Sequence, residues 1–249
     1  MEQDEINELE LLGHNAWLAQ ERMRIGGWLL RADHGVTRRA NSVLPLGPPG
    51  LDLSTAIDFA IEFYQSRDLI PRFQVTEASY PKELDAELSE RGFSQVFFVE
   101  VWTANIDSLL NIDPGCPTGY SHEFSDEWVN AYLDASGHNP STMQVRQGIM
   151  ERTEQPRVFV HANIDDTVAA VGYGVAEGSW LGIFAIATLP DKRDAGAATA
   201  VNHALGIWGK NHGVEHVYLQ VETNNDTAKK LYSKLGFTHG YTYWYRKLE

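Results

Sequence analysis

Two kinds of apolar pattern run along the chain, and they divide it into predicted helices and strands. Apolar residues that recur every three or four positions predict amphipathic helices, and short apolar or alternating runs bounded by Gly, Pro, Asn or Asp predict strands. The predicted helices are 4–19, 53–66, 81–90, 125–135, 142–154 and 197–210. The predicted strands are 27–32, 36–45, 72–76, 93–103, 157–162, 168–175, an apolar strand that ends at Pro190, 216–221 and 241–246. This mixture predicts an α/β fold.

The predicted order of elements occurs twice. In each half a helix is followed by a strand, a second helix, a Gly-Phe pair and another strand, so that 73–76 parallels 219–222. Internal repetition of this kind predicts a duplicated domain. The first domain would span 1–105 and the second 106–249, joined by a linker at 106–122 that is rich in Asp, Pro and Gly. The alternative is a coincidental alternation of helices and strands.

The stretch after the apolar strand that ends at Pro190 has the pattern of an anion-binding loop. It passes through polar and small residues into the predicted helix 197–210, whose first backbone N–H groups lack intrahelical partners. Gly196 and Ala198 would let a diphosphate approach the backbone, and Arg193 can supply positive charge. No Lys-Ser or Lys-Thr pair follows the glycine, and the three-glycine spacing of dinucleotide sites is missing. A packing turn made of small residues is the alternative.

Two stretches together resemble the GNAT superfamily of N-acetyltransferases. The region 27–45, with its Trp-x-x-Arg spacing and its Arg-Arg-Ala-Asn-Ser run, also looks like the N-terminal part of the two-domain bacterial members. The family's acetyl-CoA site carries Arg/Gln-x-x-Gly-x-Gly/Ala at a helix start, and this chain has Arg193, Gly196 and Ala198 in that order. The family's second stretch places Asn, Ala, Tyr and Gly-Phe after a strand. Its matches here are Val221, Asn225, Ala228, Tyr232, Gly236 and Phe237. Two departures are Ala198, where Gly is commoner, and Thr188, where an aliphatic residue is usual.

The resemblance implies two tandem GNAT-like domains, each with a mixed, mostly antiparallel sheet flanked by helices, of which the N-terminal copy is degenerate. It also implies direct transfer of an acetyl group from acetyl-CoA to a primary amine through a tetrahedral intermediate, with no metal. Tyr232 occupies the position of the family's general acid, which protonates the departing thiolate; its alternative role is that of a core tyrosine. The residues that would hold acetyl-CoA are Ile186, Thr188, Arg193, Asp194, Ala195, Gly196, Ala197, Ala198, Thr199 and Asn225.

The sequence offers two carboxylates as the base that deprotonates the amine. Glu222 follows the predicted strand 216–221 and is the preferred candidate, with Glu177 as the second. A solvated Glu222, with proton loss through ordered water, is the alternative. His203 falls within a helical pattern and is interpreted as a packed or surface residue. The competing function is that of a non-enzymatic acyl-CoA-binding or small-molecule-sensing protein on the same scaffold.

Composition and charge narrow the class of partner. A net charge of -14 argues against nucleic acid or an anionic membrane, and the acceptor is expected to be a small-molecule or protein amine. Cys116 is the single cysteine, which fits a reducing compartment, so a cytoplasmic location is predicted. The protein is expected to be a monomer or homodimer. Tyr241, Tyr243 and Tyr245 share one face of a predicted strand. Sheet packing is favoured there over a wall of the substrate pocket.

Overall fold

The computed structural model describes residues 1–249, which fold into two compact units. Unit 1 comprises 1–100, 144–153 and 241–249, and unit 2 comprises 101–143 and 154–240. The helices are α1 Gln3–Asn15, α2 Leu53–Gln65, α3 Leu84–Glu90, α4 Asp107–Leu110, α5 Asp126–Ser136, α6 Pro140–Glu151, α7 Ala197–Asn211 and α8 Asp226–Lys234. The strands are β1 Glu21–Ile25, β2 Trp28–Ala32, β3 Val43–Pro45, β4 Arg72–Val75, β5 Ser94–Asn105, β6 Thr118–Ser121, β7 Arg157–Ile164, β8 Thr167–Glu177, β9 Trp180–Thr188, β10 His216–Glu222 and β11 Thr238–Lys247.

Unit 1 is built on a mostly antiparallel sheet in which the strands follow the order β1-β2-β3-β4-β11. The exception is the parallel pair β3–β4, which α2 connects because parallel neighbours need a long crossover. Apolar side chains of the sheet and of α2 and α3 form one core. At its centre the ring of Phe73 meets Trp28 and Phe93 edge-on, with ring centroids 5.4 and 5.7 Å apart.

Strand β11 belongs to unit 1 from Tyr241 onward, and there it pairs with β4, with Trp244 opposite Val75. Tyr241, Tyr243 and Tyr245 alternate along β11 and are all buried, as the predicted strand required. The structure therefore draws the division of the chain differently from the predicted boundary between 105 and 106, since 241–249 fold with unit 1.

The second half of α6 also folds with unit 1. Arg152 donates to the carbonyl oxygen of Leu18 at 3.0 Å, and the Thr153 hydroxyl donates to that of Asn15 at 2.9 Å. These contacts join residues far apart in sequence, so unit 1 is assembled from three separate segments. The prediction of 1–105 as a continuous domain did not include them.

Unit 2 repeats the same arrangement, with the strand order β10-β9-β8-β7-β6. Neighbours are antiparallel except β9–β10, which are parallel and connected through α7. The hairpin between β7 and β8 turns at Asp165 and Asp166, both with positive φ, as in a type I′ turn. Both units are thus mixed, mostly antiparallel sheets flanked by helices, which confirms the predicted fold class.

The region 106–122, predicted as a linker, is part of the folded structure of unit 2. It contains the short helix α4 and strand β6, which pairs with β7. Ile106 and Leu109 are fully buried in the core, and apolar anchoring of this kind outweighs the turn-forming residues around it.

Other differences lie at element ends. Helix α1 ends at Asn15 rather than 19, and the unpredicted strand β1 pairs with β2. The side chains of β1 are mostly exposed, with Arg22 and Arg24 alternating with Met23 and Ile25. None of the helices is both long enough and apolar enough to cross a bilayer.

Candidate active site

Unit 2 contains a cleft of about 780 Å³, a volume typical of ligand sites. Four parts of the unit meet there: the end of α5, the end of β9, the loop that leads into α7, and α8 with its N-cap. The lining residues are Tyr132, Ala135, Ser136, Ile186, Ala187, Thr188, Lys192, Arg193, Asp194, Gly196, Ala197, Ala198, Thr199, Asn225, Thr227, Ala228, Lys230, Leu231, Tyr232 and Lys234.

A bulge in β9 opens the sheet at the cleft. Tyr173 of β8 faces Phe184, but Val171 faces Ala187, so one residue of β8 lies opposite two of β9. Ala185, within the bulge, has a φ of 52°. The pairing of β9 with β10 ends at Ile183, although both strands continue beyond it. The backbone edge of β9 that would face β10 is therefore available to a ligand beyond the bulge.

The N-terminus of α7 faces the cleft without a side-chain cap. Its N-cap is Gly196, with a φ of 85°, a left-handed conformation that glycine adopts without strain. The first helical hydrogen bond runs from the N–H of Ala200 to the carbonyl of Gly196. The N–H groups of 197–199 thus precede the helical ladder, and with the helix dipole they favour an anion.

Positive charge surrounds this opening. Lys192, Arg193, Lys230 and Lys234 line the cleft, although the chain as a whole has a net charge of -14. Asp194 is the one carboxylate among the lining residues, and it lies in the loop before α7. The local balance therefore favours an anionic ligand.

Helix α8 places two of the predicted residues in the cleft. The Asn225 side chain accepts a hydrogen bond from the N–H of Ala228 at 3.1 Å, so it caps α8. Tyr232 lines the cleft but is 7% exposed, with its ring 5.7 Å from that of Phe237. Burial raises the pKa of Tyr232 to about 12. Its hydroxyl is therefore protonated at neutral and mildly alkaline pH.

Three predicted residues do not line the cleft. Ala195 lies in the loop, and its carbonyl oxygen is 3.5 Å from the Sγ of Cys116, which donates to it. Glu222 ends β10 at the same end of the sheet as the cleft, but its side chain is exposed outside the lining. Glu177 is paired with Trp180 at the opposite end of β8 and β9, because the hairpin reverses the chain there. The geometry gives no support to either carboxylate as a base within the cleft.

His203 has the packed role expected for it. Its Nδ1 lies 2.8 Å from the carbonyl oxygen of Leu109, and it is not among the lining residues. No group of three or more His, Cys, Asp or Glu side chains is arranged to hold a metal ion.

The sequence interpretation missed the wall that α5 contributes. Trp128 donates to the carbonyl of Val160 at 3.0 Å, which anchors α5 on the sheet, and Tyr132 stacks on Trp128 with centroids 5.3 Å apart. Tyr132 and Ser136 consequently reach the cleft. The spacing of Trp128 and Tyr132 predicted a shared helix face, but only the fold shows which strand that face meets.

Unit 1 has the same strand, helix and strand arrangement at β3, α2 and β4. Its loop packs on the turn between β1 and β2, where Gly27 donates to the carbonyl of Pro48 at 2.7 Å. The carboxylate of Asp52 accepts from the N–H of Thr55 at 3.0 Å and caps α2. That hydrogen bonding lowers the pKa of Asp52, so the helix start carries a negative charge.

Comparison with known proteins shows a family and two relatives. Residues 3–246 match the family described as "Probable histone acetyltransferase Rv0428c C-terminal". The chain is 32% identical over 243 residues to "Uncharacterized N-acetyltransferase YobR" of Bacillus subtilis, covering 94% of this chain and 95% of that protein. It is 27% identical over 237 residues to "Probable histone acetyltransferase Rv0428c" of Mycobacterium tuberculosis, covering 93% and 70%.

Solved structures share the fold at low sequence identity. A GCN5-related N-acetyltransferase from Kribbella flavida gives a TM-score of 0.69 at 15% identity, covering 97% of this chain and 94% of that one. A tandem GNAT protein from the clavulanic acid biosynthesis pathway gives 0.65 at 14% identity, covering 96% and 87%. From the match over 3–246, the chain belongs to the family of the Rv0428c C-terminal region and, with it, to the GNAT superfamily of N-acetyltransferases.

Proposed function

We propose that this protein transfers an acetyl group from acetyl-CoA to a primary amine by direct attack through a tetrahedral intermediate. The observation that carries the proposal is the shared cleft in unit 2. An uncapped helix N-terminus, an open strand edge and the buried Tyr232 line the same space there. These are an anion site, a hydrogen-bonding edge and a proton donor, which the reaction requires in that combination.

The residues around α7 fit the diphosphate of CoA. The N–H groups of 197–199 would donate hydrogen bonds to an anion, and Arg193 adds positive charge from the loop. The open edge of β9 at Ile186 and Thr188 would hydrogen-bond the pantetheine arm and position the thioester at the bulge. Backbone N–H groups there would also stabilise the oxyanion of the intermediate.

Tyr232 would give its proton to the departing thiolate, since burial keeps its hydroxyl protonated. The amine must lose a proton before it attacks, because a primary amine with a pKa near 10 is mostly protonated at neutral pH. Asp194 is the one carboxylate in the lining, and it lies in the phosphate loop. We therefore expect the amine proton to leave through water rather than through a side-chain base.

A thiol-release screen with acetyl-CoA tests the proposal. The amine panel should contain polyamines, amino sugars, amino acids, peptides with a free α-amine, and Lys-rich peptides, the last because one relative is named a histone acetyltransferase. We expect release above the hydrolysis rate with one group of amines. Calorimetric binding of CoA without release in any group would favour the acyl-CoA-binding alternative. Absence of CoA binding would contradict both functions.

A further inference from the structure

The positive charge of the cleft is divided between two of its walls. Lys192 and Arg193 belong to the loop before α7, and Lys230 and Lys234 belong to α8. Lys192 forms an ion pair with Asp165, with Nζ and Oδ2 3.2 Å apart. Two separate cationic groups suit a ligand with two separate anionic groups.

Lys230 and Lys234 differ from their neighbour Lys229. Both are exposed, and the structure gives neither a hydrogen bond nor an ion pair, although acidic residues outnumber basic ones in this chain by 34 to 20. Lys229 donates to the carbonyl oxygen of Thr223 at 2.5 Å and lies 3.6 Å from Asp226. The lysine of α8 outside the cleft therefore has hydrogen-bond and ion-pair partners, whereas the two lysines that line the cleft have none.

This arrangement has an energetic cost without a ligand. Lys230 and Lys234 are one helical turn apart, and like charges at this spacing repel each other and destabilise a helix. An anion between them would reverse the sign of that contribution. The diphosphate does not need these residues, because the α7 N-terminus and Arg193 already meet its charge.

We propose that Lys230 and Lys234 bind the phosphate monoester on the ribose of CoA, so that the protein selects CoA over 3′-dephospho-CoA. This inference rests on the proposed function and names the part of the cosubstrate that α8 recognises. A phosphate monoester carries a charge of about -1.5 to -2 at pH 7, which two lysines can match.

Calorimetric titration of the whole chain with CoA and with 3′-dephospho-CoA tests this assignment. The wild-type protein should bind CoA at least about 10-fold more tightly. In the double variant Lys230→Ala/Lys234→Ala the two dissociation constants should agree within about 2-fold, through weaker binding of CoA alone. Alanine preserves helix propensity, so α8 should stay folded.

Lys229→Ala is the matched control, because it removes a lysine from the same helix outside the cleft. It should keep the full preference for CoA, and Lys230→Arg/Lys234→Arg should keep most of it. The preference should also decline below about pH 6, where the monoester takes up a proton. The assignment would be overturned if the wild type bound CoA and 3′-dephospho-CoA equally well, or if Lys229→Ala lost as much of the preference for CoA as the double variant. Either result would leave CoA binding itself intact. If neither nucleotide binds, the proposed function fails with it.

Discussion

Tyr232 combines a place in the cleft with almost complete burial. If its hydroxyl protonates the thiolate, Tyr232→Phe should lower kcat by about 10²- to 10⁴-fold with little change in the affinity for acetyl-CoA. Steady-state kinetics and calorimetry would measure the two quantities separately. Tyr218→Phe is a suitable control, because Tyr218 is equally buried in unit 2 but does not line the cleft. An unchanged kcat, with chemistry shown to be rate-limiting, would mean that Tyr232 is not the general acid.

The pH dependence of kcat follows from the same burial. A general acid acts only while it holds its proton, and the pKa of Tyr232 is raised to about 12. The raised pKa extends the protonated form to higher pH than an exposed tyrosine, with a pKa near 10, would allow. We therefore expect no alkaline loss of kcat from this group below about pH 11. A loss centred near pH 10 would indicate a different acid.

At the scale of elements, the start of α7 can be tested without disturbing the helix. Gly196 is a poor site for this, because its φ of 85° would strain any other residue. Ala198→Asp instead places a carboxylate in the first turn of α7. There it interacts favourably with the helix dipole but repels a diphosphate. We expect CoA to bind at least about 10-fold more weakly, while the melting temperature stays the same or rises.

Ala198→Asn has nearly the same size as Ala198→Asp but no charge, so it separates repulsion from steric exclusion. Calorimetry and thermal unfolding on the two variants give both readouts. Equal CoA affinity in the Asp variant and the wild type would mean that the α7 loop is a packing turn, as the second interpretation of the sequence held.

The elements around the cleft could be predicted because their signals are local. Arg193, Gly196 and Ala198 lie around the start of a strongly periodic helix, and Asn225 caps the next helix, which contains Tyr232. All five line the cleft. The bulge at Ala185 left no such signal, because an alanine with positive φ looks like any other strand residue.

Glu177 shows that closeness in sequence to the central strand does not place a residue near the cleft. It stands near the central strand in sequence, but β8 and β9 are antiparallel, and their turn lies at the end of the sheet away from the cleft. Lys230 and Lys234 were passed over for a related reason. Charged residues on a helix usually face solvent, and only the position of α8 shows that these two line a cavity.

At the scale of the molecule, the two units should differ in CoA binding. Unit 2 has an open, positively charged helix start, whereas unit 1 has two prolines in the equivalent loop and the Asp52 carboxylate at the start of α2. When the two Gly-Phe pairs are aligned, Leu88 stands at the place of Tyr232, and it is fully buried. We expect calorimetric titration of the whole chain with acetyl-CoA to give a stoichiometry near one.

Ala198→Asp in the whole chain is the control for this stoichiometry, since it should weaken the single site at least about 10-fold and leave no second, unaffected site. Two equivalent sites would contradict the assignment. A fragment ending near Asn105 is unsuitable for the test, because unit 1 also needs 144–153 and 241–249.

The pairing of β4 with β11 was beyond prediction from the sequence. The repeat of helix, strand, helix and strand indicated two copies, and the structure contains both arrangements. Yet Trp244 and Val75 carry nothing that identifies them as partners, since each is an ordinary strand residue. Register between distant strands depends on the assembled cores, which no local pattern encodes.

The three-segment composition of unit 1 has a consequence for the order of folding. During synthesis from the N-terminus, β4 is complete long before 241–249 exist, so unit 1 cannot close its sheet until unit 2 has been made. Closing a long flexible loop costs entropy that grows with its length, and a unit 2 already folded would shorten the flexible part of that loop. We expect pulse-labelled hydrogen exchange during refolding to protect β8 and β9 before β4, and the reverse order would show that the sheet of unit 1 forms around an unfolded insertion.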